Sequence, residues 1–374
     1  MKPHLNYYFL FFAALLLFLG ELFLATLSAP ASMQIFGNTN YYIFHQLAAI
    51  GIGLVLAVVA YKIPLNFLKK VSLPLLLANA AVMISVFIPF LGSKFWGAKR
   101  WITLWGVSLQ PSEFIKITAV LYLAAWLSTK ISDHHKKGWA GFTQKFYYNF
   151  TKIYVPFLCL LGGISVILFF QKDMSTLGII VLSLGAVYFA AGTPIWHTIL
   201  SFVSGAVSAL ILIKIEPYRM ERFLVFLHPD TDPLGIGFQL RQSLLAIGSG
   251  GIFGKGLGMS TQKFGFLPQA MGDSVFAIIG EETGMVGCAI LIILFLLFFW
   301  QGIKIATHAN DKFMRLTAVG IVVWFAAQTF TNIASAIGLW PLAGIPLPFF
   351  SYGGSHIMAE LMAIGLLLNI SKNS

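Results

Sequence analysis

The chain holds only thirteen acidic residues among 374, so each carboxylate can be weighed as a chemical group. Asp273 is the strongest candidate for chemistry. It follows Phe266-Leu267-Pro268-Gln269-Ala270-Met271-Gly272 and opens an apolar run. A helix-capping aspartate accounts for that position without chemistry. A carboxylate at the mouth of a helix bundle, beside a basic glycine-rich segment, also suits a general base. Glu281 and Glu282 follow eight and nine residues later in the same predicted helix, where they can tune its field or bind cations.

Cations gather near the same acids. Glu113 and Lys116 follow Pro111 and Ser112, and their three-residue spacing places both on one helix face. A proline and a serine at a helix start explain that segment structurally; a ligand-facing pair is the functional reading. Asp173 stands in Gln171-Lys172-Asp173 at a helix end. Gly248, Gly250, Gly251, Gly254, Gly256 and Gly258 surround Lys255, with Lys263 close behind. Such glycines let backbone amides approach a phosphate, or serve as a hinge. A nucleotide-binding loop is rejected: Gly256 stands where Ser or Thr is needed, and Ser249 where the first glycine belongs. Asp133 and Asp311 sit beside lysines and read as solvated. Glu21 and Glu360 fall inside apolar runs, and Glu360 lies one helical turn after His356, a structural pair.

These residues need elements to hold them, and composition says which. Hydrophobic residues make up 58% of the chain and charged residues 10%, against about 25% charged in soluble domains. Apolar runs at Tyr7–Leu27, Tyr42–Tyr61, Leu73–Leu91, Ser112–Ser128, Tyr154–Phe170, Leu177–Ala191, Trp196–Ile213, Val275–Trp300, Leu316–Ile337 and His356–Ile370 predict ten membrane-spanning helices. The first is a retained helix, not a cleaved leader. The expected class is an all-α polytopic membrane protein with one domain over residues 1–374. Cys159 and Cys288 lie in apolar runs and support neither a disulfide framework nor a zinc site.

An even count puts both termini on one side. Assigning that side to the cytoplasm gives it thirteen lysines and arginines against eleven, a narrow margin under the positive-inside rule. The Asp133–Lys152 connection reads as a basic cytoplasmic loop. Four of the five arginines, Arg100, Arg219, Arg222 and Arg241, then fall outside. Together they favour an anionic ligand, with lipid headgroups as the plainer account. The longest connection, residues 215–273, joins the seventh and eighth helices on that outer side. Its clusters Phe223, Leu224, Phe226, Leu227 and Phe238, Leu240, Leu244, Leu245, Ile247 suit short helices lying in the interface or re-entering the bundle.

Taken in order, these segments resemble the SEDS family of bacterial membrane proteins, which includes FtsW, RodA and SpoVE. The matching stretches are Gly97-Ala98-Lys99-Arg100-Trp101-Ile102, Gln110-Pro111-Ser112-Glu113 with Lys116, and Gln171-Lys172-Asp173. Asp232-Pro233-Leu234-Gly235 with Gln239, Gln242 and Ser243 follows, then Ile247-Gly248-Ser249-Gly250-Gly251, the Leu267–Glu282 block, and Gly344 through Ser355. The run Gly256–Lys263 is more similar to FtsW than to RodA.

The resemblance implies a ten-helix fold and polymerisation of lipid II into glycan strands, for cell division or cell shape, on the outer face of the bacterial cytoplasmic membrane. It places Asp273 at the catalytic aspartate, and Asp173, Glu113, Lys116 and Arg100 along the central cavity. Arg100, Lys116, Arg241, Lys255 and Lys263 are the expected holders of the substrate diphosphate, with a divalent cation (Mg or Mn) as a conceivable helper. The implied partners are lipid II, a class B penicillin-binding protein and other divisome or elongasome membrane proteins, with no nucleic acid. A lipid II flippase or ion-coupled carrier, and a non-catalytic scaffold for a transpeptidase, are the competing readings. The chain departs from the family block, which reads Leu-Pro-Glu, two residues, then Thr-Asp. Here Gln269 and Gly272 take the Glu and Thr places, and Lys172 replaces a proline before Asp173.

Overall fold

The computed structural model describes residues 5–89, 91–95, 98–104, 107–136, 146–215, 217–228 and 235–374. Gly97, Asp232–Leu234 and much of the Asp133–Lys152 connection lie outside the described residues, as do the side chains of Lys94, Lys214 and Arg219.

Every predicted span is a helix: α1 Tyr7–Phe36, α2 Tyr41–Lys62, α3 Leu65–Ser85, α4 Pro111–Lys136, α5 Val155–Phe170, α6 Met174–Ala190 and α7 Ile195–Ile215. The connection that follows carries α8 Pro217–Leu227 and α9 Ile236–Gly250, after which come α10 Val275–His308, α11 Lys312–Ala336 and α12 Gly354–Lys372. Among the described residues, seven helices are long and apolar enough to cross a membrane, and α6 is a shorter apolar helix. The two apolar clusters of the 215–273 connection do form short helices, α8 and α9.

Local chemistry sets the ends. Asn6 accepts a bond from the Phe9 amide and caps α1, Asp311 accepts from Phe313 and caps α11, and Gly37 closes α1 in the left-handed conformation. The Asn6 amide also donates to Ser371 Oγ at 3.0 Å, so both termini share one end of the bundle. The other end is called distal below.

The packing has a clear centre. α12 is the most buried of the seven, followed by α11, while α1, α2, α3 and α10 keep broad exposed apolar faces. α12 reaches α2 closely because Gly365 has no side chain; a Cβ there would stand 2.2 Å from the Ala57 carbonyl oxygen.

Three expectations change. The Leu73–Leu91 run is displaced: α3 begins at Leu65, behind Pro64, and stops at Ser85. Beyond it the chain forms a small antiparallel sheet at the distal end, β1 Gly92–Phe95, β2 Ala98–Leu104 and β3 Val107–Leu109, in that order. Antiparallel pairing satisfies the backbone groups of these strands. Finally, α10 is not continuous. Gly284 takes φ 65° and ψ −166°, splitting off a short helix, residues 275–283, from the span proper. The long connection therefore reaches to Gly284 in physical terms.

Candidate active site

Asp273 sits in the turn that enters this short helix. Gln269 adopts a positive φ of 53° and its carbonyl accepts from Gly272 and Ser274 at 2.9 and 3.3 Å, closing the turn. Ser274, not Asp273, is the N-cap residue. The capping account of Asp273 is thereby replaced: its Oδ1 instead receives Gln239 Nε2 from α9 at 3.3 Å.

The turn is clamped by the segment ahead of α12. Asn332, fully buried on α11, donates to the Asp273 carbonyl at 2.9 Å and to the Ile345 carbonyl at 2.7 Å. Ser351 Oγ donates to the Gly272 carbonyl at 2.5 Å, and the Tyr352 amide to the Met271 carbonyl at 2.8 Å. Arg222 from α8 donates to Leu342 at 2.8 Å. A Cβ at Gly344 would lie 3.8 Å from Asp273 Oδ2 and 3.9 Å from Arg222 Nη1, so the glycine lets carboxylate and guanidinium flank one bare backbone position. Asp273 is half-buried. Burial pushes its carboxyl above the ordinary aspartate range; bonds from its own backbone and Gln239, and the Arg222 charge, offset part of that rise.

The other predicted residues form two further clusters. Arg100, on β2, donates through Nε to the Gln171 carbonyl at 3.1 Å and through Nη2 to the Lys172 carbonyl, and its Nη1 lies 3.7 Å from Asp173 Oδ1. Asp173 Oδ2 accepts from Gln110 and Ser112 at 3.1 and 3.0 Å. Ser112 thus ties α4 to the start of α6. Lys172, in place of a proline, holds a positive φ of 58°.

Deeper in the bundle, Lys116 Nζ stands 2.7 Å from Glu113 Oε2 and 3.2 Å from Gln328 Oε1, over the Trp324 ring at 4.6 Å. His356 places Nδ1 3.3 Å from Glu113 and Nε2 3.0 Å from Glu360, which bears out the expected His356–Glu360 pair. All six side chains are buried. This arrangement is a charge-balanced brace joining α4, α11 and α12, and it favours the supporting role for Glu113 and Lys116.

Lys255 and Lys263 are placed differently from a phosphate clamp. Lys255 Nζ lies 2.7 Å from Glu281, and Lys263 Nζ 3.3 Å from Glu282, at the far end of the short helix from Asp273. Glu281 and Glu282 spend their charge on the glycine-rich segment. Arg241 is exposed on α9, two residues beyond Gln239.

Asn332 and Gln328 were missing from the sequence-derived site. Their signal was present: two amides one helical turn apart inside an apolar run are costly unless partnered. Among the described residues, no three His, Cys, Asp or Glu side chains come together as a metal site.

Known proteins resemble this chain over nearly its whole length. The chain is 36% identical to Stage V sporulation protein E of Bacillus subtilis over 360 residues, covering 96% of this chain and 95% of the relative. It is 37% identical to a probable peptidoglycan glycosyltransferase FtsW of Coxiella burnetii over 359 residues, covering 95% and 93%. Its fold matches the crystal structure of the rod shape determining protein RodA of Thermus thermophilus, with a TM-score of 0.70 and 23% identity over 98% of this chain and 96% of that one. A chain from a peptidoglycan synthase complex matches at a TM-score of 0.77 and 24% identity, over 98% and 97%. Residues 6–374 match the cell cycle protein family of FtsW, RodA and SpoVE, and the chain belongs to that family.

Proposed function

We propose that this protein is a peptidoglycan glycosyltransferase that polymerises lipid II at the distal end of the bundle. The observation that carries the reading is the state of Asp273. Its carboxylate is spared from helix capping, clamped through its backbone from α11 and the segment before α12, and bracketed by Gln239 and Arg222. Relatives named as probable peptidoglycan glycosyltransferases, similar over nearly the whole chain, support it.

In this reading the termini face the cytoplasm and the distal end faces outward, where no nucleotide sugar is available. Asp273 takes the proton of the GlcNAc 4-hydroxyl of one substrate. That oxygen forms the new bond to C1 of the second substrate's MurNAc as the C1–O bond to undecaprenyl diphosphate breaks, with inversion. The diphosphate leaves as an anion and needs charge stabilisation, not protonation. Arg241, exposed on α9, is the cation proposed to receive it. Arg100 and Lys116 shape the cavity wall through Asp173 and Glu113. A class B penicillin-binding protein is the proposed partner, in division, sporulation or elongation.

The test is purified protein incubated with lipid II, alone and with its transpeptidase partner. Polymer supports the enzyme; headgroup translocation in liposomes without polymer would establish a flippase, and neither product a scaffold. Asp273→Asn, folded, is expected to lose about 10²–10⁴-fold in rate. Parental polymerisation by that variant would overturn the assignment.

A further inference from the structure

The short helix that carries Asp273 at its entrance is not steered by the span that follows it. Gly284 is non-helical, so the helical hydrogen-bond ladder is interrupted there. What fixes the other end of the short helix is the segment from Gly250 to Lys263, which wraps it as a strap. The strap approaches at two glycines. A Cβ on Gly250 would stand 2.1 Å from the Gly280 carbonyl oxygen, and one on Gly254 2.2 Å from that of Glu282. Gly254 also takes a positive φ of 81° that other residues rarely adopt. The Lys255 and Gly256 amides then donate to the carbonyls of Glu281 and Glu282 at 3.0 Å each, and Met285 and Val286 donate back to Gly251 and Ile252 at 2.9 and 3.1 Å.

One carboxylate gathers the rest. Glu281, with no exposed surface, accepts from Lys255 Nζ at 2.7 Å, Thr261 Oγ1 at 2.9 Å, the Thr261 and Gln262 amides at 3.2 and 3.3 Å, and Ser260 Oγ. Glu282 adds Lys263 at 3.3 Å and the Ser260 amide at 3.4 Å. A buried carboxylate with five donors is too costly to be incidental, since each donor lost leaves buried charge uncompensated.

We propose that Glu281 is a positioning residue for Asp273. It locks the strap onto the short helix and so fixes the tilt of a lever whose helical part, Val275 to Glu281, is about 9 Å long at 1.5 Å rise per residue. Lys255 and Lys263 serve this lock. The proposal rests on the reading of Asp273 as the base, and it predicts that loosening the strap harms turnover more than substrate binding.

The test uses the full-length protein with lipid II, comparing Glu281→Gln, Glu281→Asp and Asp273→Asn. For Glu281→Gln, hydrogen exchange at the Lys255 and Gly256 amides is expected to rise about tenfold or more. Its kcat should fall about 10- to 100-fold, as small displacements of a reacting group do, with KM within about threefold. Glu281→Asp should recover part of the kcat. Faster exchange with parental kcat would overturn the positioning role, and unchanged exchange would overturn the lock. A uniform loss of kcat and thermal stability without faster strap exchange would reduce Glu281 to a structural residue and also overturn it. Should Glu281→Gln fail to fold, Ser260→Ala with Thr261→Val removes two donors, keeps the ion pair and is read the same way. An Asp273→Asn protein at the parental rate would sink the base assignment and the positioning role with it, while the exchange data would still decide whether the strap is locked.

Discussion

Asn332→Leu isolates the clamp on the Asp273 turn. The two side chains share one branched skeleton, so the change removes the hydrogen bonds, and the bulkier methyls of Leu add some overpacking to the cost. Two are lost: those from Nδ2 to the Asp273 and Ile345 carbonyls at 2.9 and 2.7 Å, both on a residue with no exposed surface. Each orphaned buried carbonyl costs about 1–3 kcal/mol. Asn332 Oδ1 has no partner itself, so its removal returns part of that cost. The net loosening is then about 1–3 kcal/mol, a factor of roughly 5–150 in the population of the clamped turn. The bundle does not rest on this bond, because Ser351 and Tyr352 also hold the turn. Lipid II polymerisation by the purified variant should fall about 10- to 100-fold at saturating substrate, while the thermal unfolding midpoint drops only a few degrees. Parental turnover by a folded Asn332→Leu protein would refute the view that the clamp positions the carboxylate.

Three further outcomes follow from the same contacts. A base works ionised, so the raised Asp273 carboxyl places the acid limb of kcat/KM above the ordinary aspartate range. Because Arg222 opposes that rise, Arg222→Met should move the limb to still higher pH, as a pH–rate profile of both proteins would read; a limb that stays put counts against the pairing. Lys116→Met strands the buried Glu113 carboxylate beside His356 alone and should destabilise the protein by about 3–5 kcal/mol, seen as lower folded yield and earlier thermal unfolding. Gly254→Ala must push the strap away from a carbonyl 2.2 Å distant, and should speed exchange at the Lys255 and Gly256 amides; unchanged protection would contradict the close approach.

Much of this molecule is legible along the chain because a bilayer makes composition informative. Apolar runs must be helices, as backbone groups find no water there, and each of the ten runs falls on a helix, the third with shifted bounds. The two clusters in the 215–273 connection likewise declared α8 and α9 by their spacing. Asp273 stood out because ionised groups are few and its neighbours are glycines and basic residues. The sheet at Gly92–Leu109 was hidden, since short strands of mixed polarity between spans leave a weak periodic signal.

What tertiary structure alone decided is the allocation of the charges. By type and spacing, Lys255 and Lys263 suit a phosphate clamp, yet they face carboxylates 26 and 19 residues away in sequence that only the folded strap brings near. Glu113 and Lys116 share a helix face by simple periodicity, but their burial depends on His356 and Gln328 arriving from α12 and α11. The break at Gly284 is the same kind of fact. A glycine in an apolar helix is tolerated, and it becomes a break only because Gly251 and Ile252 offer the backbone of Met285 and Val286 another set of hydrogen bonds. Residue types limited where chemistry could occur; partners distant in sequence determined which charges remain available to a substrate.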